Sequence, residues 1–115
     1  MSSQNDNRQI LSLDPNVYVT LKSKKAKKGY LLLIVDSGVQ MSIIKESSLT
    51  NVLVHTKEKI EISGITSEQK YTSEGWAQIR LNLERHQYEF KFHVVNSKYI
   101  NLHADGIIGH NILKD

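Results

Sequence analysis

The six residues from Tyr30 to Val35, YLLLIV, constrain this chain more than any other stretch. After the tyrosine every position is aliphatic, so neither face of the segment is polar. The run is too short for an ordinary helix and is fenced by Gly29 on one side and Asp36-Ser37-Gly38 on the other. Such a run reads as a strand buried on both faces. It needs hydrogen-bonded neighbours along both edges and apolar packing above and below.

The rest of the chain supplies suitable neighbours. Val17, Val19 and Leu21 alternate in VYVTLK, and Ile10, Leu11 and Leu13 suggest a further strand before the Asp14-Pro15-Asn16 turn signal. SIIKESSL continues as strand and then bends into a short helical turn, and alternation returns in VLVHTKEKIEI until Ser63-Gly64 breaks it. KYTSEGWAQIRLNL and YEFKFHVV read as two long strands about the polar turn ERHQ. Ala77, Ile79, Leu81 and Leu83 line one face of the first, and Tyr88, Phe90, Phe92 and Val94 one face of the second. The chain closes with Ile107-Ile108 as a short strand running through Gly109 into one helical turn. Many short strands separated by turns predict a small all-β barrel or sandwich with at most one short helix.

With 115 residues the chain is sized for one domain. Residues 1–8 are expected to be disordered and 9–115 to form that domain. It has no cysteine, so the apolar core must hold it without disulfides or thiolate metal sites. No apolar run approaches the roughly 20 residues of a membrane span, and MSSQNDNRQ lacks a secretory apolar segment. A soluble, cytoplasmic protein without membrane partners is expected. The net charge is only +3, yet Lys22, Lys24, Lys25, Lys27 and Lys28 crowd into KSKKAKKG. A lysine run between alternating segments is more economically a solvated hairpin loop than a nucleic-acid contact, and no aromatic residues interleave with it as a stacking platform.

Asp36-Ser37-Gly38 is the stretch with chemistry in it. The strand carries the Asp36 carboxylate to the end of the sheet, Gly38 permits close backbone approach, and Ser37 can fix the loop by hydrogen bonding. Alone, the tripeptide is equally plain turn chemistry, with aspartate capping its own turn. Other chemistries find less support. His55, His86, His93, His103 and His110 show no metal-site spacing, Ser37 lacks a nucleophile-elbow context, and no glycine-rich phosphate loop occurs. Neither metal nor cofactor is expected, and Trp76 reads as a packing residue.

Three motifs in order change the balance. LLLIVDSGVQMSII, the glycine-centred IEISGIT, and DGIIGHNIL together resemble the retropepsins, the retroviral-type aspartic proteases. The chain is most similar to those of gypsy-like long-terminal-repeat retrotransposons and endogenous retroviruses, over roughly residues 9 to 115. The resemblance implies a small closed barrel with a flap hairpin and a short C-terminal helix, assembled as a two-fold homodimer. It implies an aspartic endopeptidase cleaving an extended peptide or polyprotein, in the cytoplasm and within virus-like particles. Asp36 would be catalytic, Ser37 and Gly38 would complete its loop, and Ser63, Gly64 and Ile65 would form the flap tip. Ile34, Gln40, Ile43 and Ile107 would line subsites, with Ile108 and Gly109 packed beneath the active-site loop. Val39, Gln40 and His110 depart from the alanine, aspartate and arginine usual in retroviral enzymes, leaving at best a weak hydrogen bond between Gln40 and His110. A similar Asp-[Ser/Thr]-Gly-Ala-Gln segment occurs in ubiquitin-receptor proteases of the DNA-damage-inducible type, and Val39-Gln40-Met41 fits either origin. The departures also admit a catalytically inactive dimerisation or peptide-binding module on the same fold.

Overall fold

In a computed structural model, the structure describes residues 17–63, 70–100 and 102–114. Eight strands are found there: β1 Val17–Lys22, β2 Tyr30–Val35, β3 Ile43–Lys45, β4 Glu61–Ser63, β5 Lys70–Thr72, β6 Gly75–Leu83, β7 His86–Val95 and β8 Gly106–Ile108. One helix, α1 His110–Leu113, follows Gly109. Six strands close into a barrel in the order β1-β2-β8-β3-β7-β6, and β4 pairs with β5 as a separate hairpin. The expected segments 1–8 and QILSL lie outside the described residues.

The all-aliphatic run behaves as its composition requires. β1 pairs antiparallel with β2 over its whole length, from Val17 with Val35 to Lys22 with Tyr30, while β8 runs parallel along the other edge. Leu31 and Leu33 point into a core built with Ile44, Ala77, Ile79, Leu81, Phe92, Val94 and Ile108. Ile34, one residue on, faces a second apolar cluster with Ile43, Val95, Ile100, Ala104 and Ile107. Alternation of side chains across a strand thus places neighbouring aliphatics in two different clusters.

Some expected elements are corrected. KYTSEGWAQIRLNL is two strands, because Ser73 turns its N–H to the Ile60 carbonyl and Gly75 sits at φ +139°. Ordinary L-residues avoid that conformation. Within VLVHTKEKIEI only the last two residues, Glu61 and Ile62, are strand, as the start of β4: earlier, His55 exchanges backbone hydrogen bonds with Trp76 while the chain around it stays irregular. Val52 and Val54 still pack on the first core, which is the apolar signal their alternation carried. The ERHQ turn narrows to Glu84-Arg85, and strand pairing resumes at His86. Leu83 and Tyr88, expected on the core face, are instead 41% and 44% exposed near the tip of the β6–β7 hairpin. Trp76 does pack, stacked on His55 with ring centroids 4.1 Å apart and with the Lys91 ammonium 4.8 Å from its ring centre.

Two glycines separate steric need from conformational need. A Cβ on Gly106 would stand 2.3 Å from the Ile43 carbonyl oxygen, inside the β3–β8 pairing. Gly29 adopts φ +86° with open space around it. Gly106→Ala should therefore cost about 3 kcal/mol or prevent folding, from overpacking against backbone. Gly29→Ala should cost only about 1 kcal/mol, for the left-handed conformation. Urea-unfolding midpoints of the two variants check the ranking, and equal losses would contradict it.

Candidate active site

Asp36 directly follows β2, and its place is set by the sheet. Its N–H donates to the Ile108 carbonyl at 3.0 Å, extending the β2–β8 ladder by one bond. The chain then turns. The Asp36 carbonyl accepts from Val39 N–H at 3.2 Å, and its carboxylate Oδ1 accepts from Gly38 N–H at 2.9 Å. A Cβ on Gly38 would lie 3.2 Å from that same Oδ1. Gly38 does not adopt the left-handed conformation, so close approach is what glycine supplies here. Asp36 is half-buried, with Ser37 and Gly38 exposed beside it.

Ile34, Ile43 and Ile107, expected from sequence to line subsites, pack together but are covered, at 3%, 3% and 0% exposure. All three belong to the second apolar cluster, against which Val39, Leu102 and Ile62 of β4 pack. Ile62 of the β4–β5 hairpin and Val39 of the aspartate loop therefore pack on the same cluster. Its Ser63 backbone pairs with Lys70, while Gly64 and Ile65 lie outside the described residues. Tyr71 of β5 stacks on Tyr99 with centroids 4.9 Å apart, anchoring the hairpin arm to the turn at Ser97–Tyr99. Ile108 packs in the first core beneath the loop. Gly109 lets the loop come close, since its Cβ would meet the Val39 carbonyl oxygen at 2.6 Å. Gln40 is exposed, apart from the apolar cluster.

The expected Gln40–His110 contact takes another form. His110 N–H donates to the Val39 carbonyl at 2.7 Å and Asn111 N–H to the Gln40 carbonyl at 3.1 Å, so backbone joins the two segments while the His110 side chain is exposed. Two residues not singled out by the sequence reading complete the support. Asn111 Oδ1 accepts from both the N–H and the hydroxyl of Ser42 at 2.7 Å, and Asn111 Nδ2 donates to the Lys91 carbonyl. Ser42 Oγ accepts in turn from Gly109 N–H at 2.8 Å. Ser42 is fully buried, so these bonds are obligatory. A polar serine between Met41 and Ile43-Ile44, and an asparagine opening the last helix, were the available signals.

At the root of the hairpin, Ser73 Oγ accepts from Ile60 N–H at 3.0 Å and lies 3.4 Å from His93 Nδ1. His93 is fully buried, and its Nε2 has no hydrogen-bond partner among the described residues. Burial holds its pKa below the usual histidine value, with Lys91 adding to the effect and Glu58 and the Gly75 carbonyl opposing it. Among the described residues no group of three or more His, Cys, Asp or Glu side chains is placed to hold a metal ion.

This closed barrel, with an aspartate loop at the end of the paired parallel strands β2 and β8 and a separate hairpin, is the architecture of the retroviral-type proteases. The retroviral aspartyl protease family profile matches residues 12–115, and the chain belongs to that family. It is 29% identical over 113 residues to the retrovirus-related Pol polyprotein from transposon 412 of Drosophila melanogaster, covering 97% of this chain but only 9% of that polyprotein. Among solved structures it resembles EIAV protease complexed with the inhibitor HBY-793. The TM-score is 0.57 at 16% identity, covering 90% of this chain and 89% of that one. The similarity to retrotransposon proteases inferred from the three motifs is borne out.

Two consequences can be measured. Asn111→Ala leaves the buried Ser42 N–H and hydroxyl unpartnered and should cost about 2–3 kcal/mol of stability, read from urea unfolding, with Asn111→Asp recovering part of it. For His93 the folded pKa is depressed below its unfolded value of 6.5, so the unfolded chain takes the proton first as pH falls. Stability should decline from about pH 6.5 downward until the folded pKa is passed. The exposed Glu58, whose pKa is lowered by its hydrogen bond to Lys91, loses its contribution only below its ordinary 4.5. Unfolding midpoints at pH 7.5 and 5.5 should differ in the wild type and converge in His93→Leu.

Proposed function

We propose that the chain is an aspartic endopeptidase that works as a two-fold homodimer and cleaves extended segments of a polyprotein, with Asp36 of each subunit at the reacting centre. The observation that carries this reading is the placement of Asp36: backbone-locked and half-buried at the end of a doubly buried strand, in a loop whose Val39 packs on the Ile34–Ile43–Ile107 cluster. Peptide hydrolysis without metal or nucleophilic side chain needs a base for water and an acid for the scissile group. Two close carboxylates sharing one proton provide both, the known device of aspartic proteases. The sequence contains one Asp-Ser-Gly, so the second carboxylate comes from a second copy, and a two-fold axis places the pair at its centre.

Each residue then has a part. One Asp36 takes a proton from water while its protonated twin donates to the substrate carbonyl, and the pair titrates as a unit. The Gly38 N–H bond fixes the orientation of the carboxylate, and Ser37 is offered to the partner's loop. The peptide lies as an added strand between the Asp36 pair and the β4–β5 hairpin, with Ser63, Gly64 and Ile65 closing over it. Alternate apolar side chains pack on the partly exposed rim of the second cluster, Leu32, Val39, Ile62 and Leu102, backed by Ile34, Ile43 and Ile107, and Gln40 edges the groove. The likeness to an inhibitor-bound protease and to a Pol polyprotein supports a peptide occupant and a polyprotein substrate.

Asp36→Asn should lower kcat on apolar decapeptides by about 10³-fold or more while leaving the unfolding midpoint within about 1 kcal/mol of wild type. Wild-type cleavage should fade toward alkaline pH, where the shared proton is lost, and sedimentation should show dimer, reinforced by a hydroxyl-bearing peptide-like inhibitor. An Asp36→Asn variant that retained cleavage would overturn the assignment. A wild type that bound peptides with no turnover would make the domain a binding module instead.

A further inference from the structure

The lysine loop is built rather than frayed. Ser23 N–H donates to the Gly29 carbonyl, Lys27 N–H to Ser48 and Thr50 N–H to Lys25, while the buried Ser23 hydroxyl donates to the Arg80 carbonyl at 2.7 Å. The loop is thereby pinned both to β6 and to the segment around Leu49. It forms one wall of a groove whose floor is the outward row of the β6–β7 hairpin. Lys24, Lys25, Gln78, Arg80, Asn82, Gln87 and Glu89 line that groove. Arg80 pairs with the groove's carboxylate, Glu89, at 3.1 Å, but both are half exposed and such a pair is worth little in water. Lys28 turns instead toward Asp105, and Lys25 Nζ holds the Asn51 carbonyl. Among the described residues the side chains of Lys22, Lys24 and Lys27 have no hydrogen-bond or ion-pair partner. Arg85 stands at the adjacent hairpin tip.

We propose that this groove binds single-stranded nucleic acid through its phosphates. Three features favour that partner. The cations are preorganised on a pinned loop, so little ordering is lost on binding. The amides of Gln78, Asn82 and Gln87 donate to phosphate and sugar oxygens without needing a particular base. Outward positions on a strand repeat every 6.7 Å or so, close to the step of an extended polynucleotide backbone. Since no aromatic side chain lines the groove, binding is insensitive to sequence and dominated by counterion release. Lys22 and Tyr30 begin the β1–β2 pairing at one end and Asp36 follows it at the other, roughly 17 Å of strand away. The groove and the candidate active site therefore lie at opposite ends of β2.

The test is fluorescence anisotropy of a labelled 20-nucleotide single-stranded RNA of mixed sequence with the full chain. About four phosphate contacts predict that affinity falls about 50-fold between 50 and 200 mM salt. Lys22→Gln, Lys24→Gln and Lys27→Gln combined should weaken binding at 50 mM about 10-fold or more and flatten the salt dependence. These side chains are exposed, and an unchanged unfolding midpoint confirms that the fold is intact. Lys57→Gln with Lys59→Gln, at exposed positions preceding β4, should leave binding as in wild type. Unaltered binding by the triple variant, an equal loss in the Lys57/Lys59 control, or displacement of the RNA by polyglutamate of matched charge at equal concentration would each overturn the proposal. The readout needs no peptide cleavage, so it stands or falls separately from the proposed endopeptidase.

Discussion

Three parallel pairs, Leu33 with Gly106, Ile34 with Ile107 and Val35 with Ile108, hold together what the rest of the molecule requires. Parallel neighbours need a crossover, and here nearly the whole chain between β2 and β8 serves as one. The ladder does not stop where the strand does: the next N–H, that of Asp36, donates to Ile108. The aspartate is therefore positioned by sheet register rather than by its loop. Gly106 and Gly109 make the arrangement feasible, because each lets backbone approach where a methyl group would collide with a carbonyl.

The same ladder explains the paired aliphatics. Leu33-Ile34, Ile43-Ile44, Val94-Val95 and Ile107-Ile108 each send one side chain to the barrel core and the next to the second cluster. A barrel needs only one apolar face, so the second demands a covering. The β4–β5 hairpin and the segment from Ile100 to Ala104 supply it, through Ile62, Leu102 and their neighbours. Since full burial of an aliphatic side chain is worth about 1.5–3 kcal/mol, that cluster anchors the hairpin, and the proposed peptide would pack on its rim. Stability and substrate recognition draw on the same cluster in this proposal.

What the sequence made legible were features that depend on local period. β1, β2, β7 and β8 follow their alternating or all-aliphatic runs, and Ile34, Ile43 and Ile107, drawn from separate motifs, pack into one cluster. What it hid was set by distant contacts. The break before β6 depends on Gly75 meeting the His55 carbonyl, at 2.2 Å from where its Cβ would stand, across 20 residues of chain. Leu83 and Tyr88 obey the period yet stay exposed near the β6–β7 tip, although Leu81, the partner of Tyr88, is fully buried. Ser42 and Asn111 are 69 residues apart and individually unremarkable, and only the fold reveals them as the lock behind the aspartate loop. The lysine cluster was visible as charge, but its pinning to Arg80 and Ser48 was not.

His93 places the proposed chemistry and the fold in opposition along the pH axis. The shared-proton mechanism fails once both carboxylates are ionised, which favours acid. Burial of a neutral imidazole against Ser73 and Trp76 at the hairpin root favours the opposite, because each proton taken up there opposes burial. An aliphatic side chain at this position would remove the conflict and pack as well. Keeping histidine instead ties the rigidity of the hairpin root to the same variable that governs the aspartate pair. Acidification, which the proposed mechanism needs for its shared proton, also opposes burial of the imidazole at the hairpin root. For the proposed endopeptidase, proton uptake by the imidazole sets the lower bound on the pH at which the hairpin root stays intact.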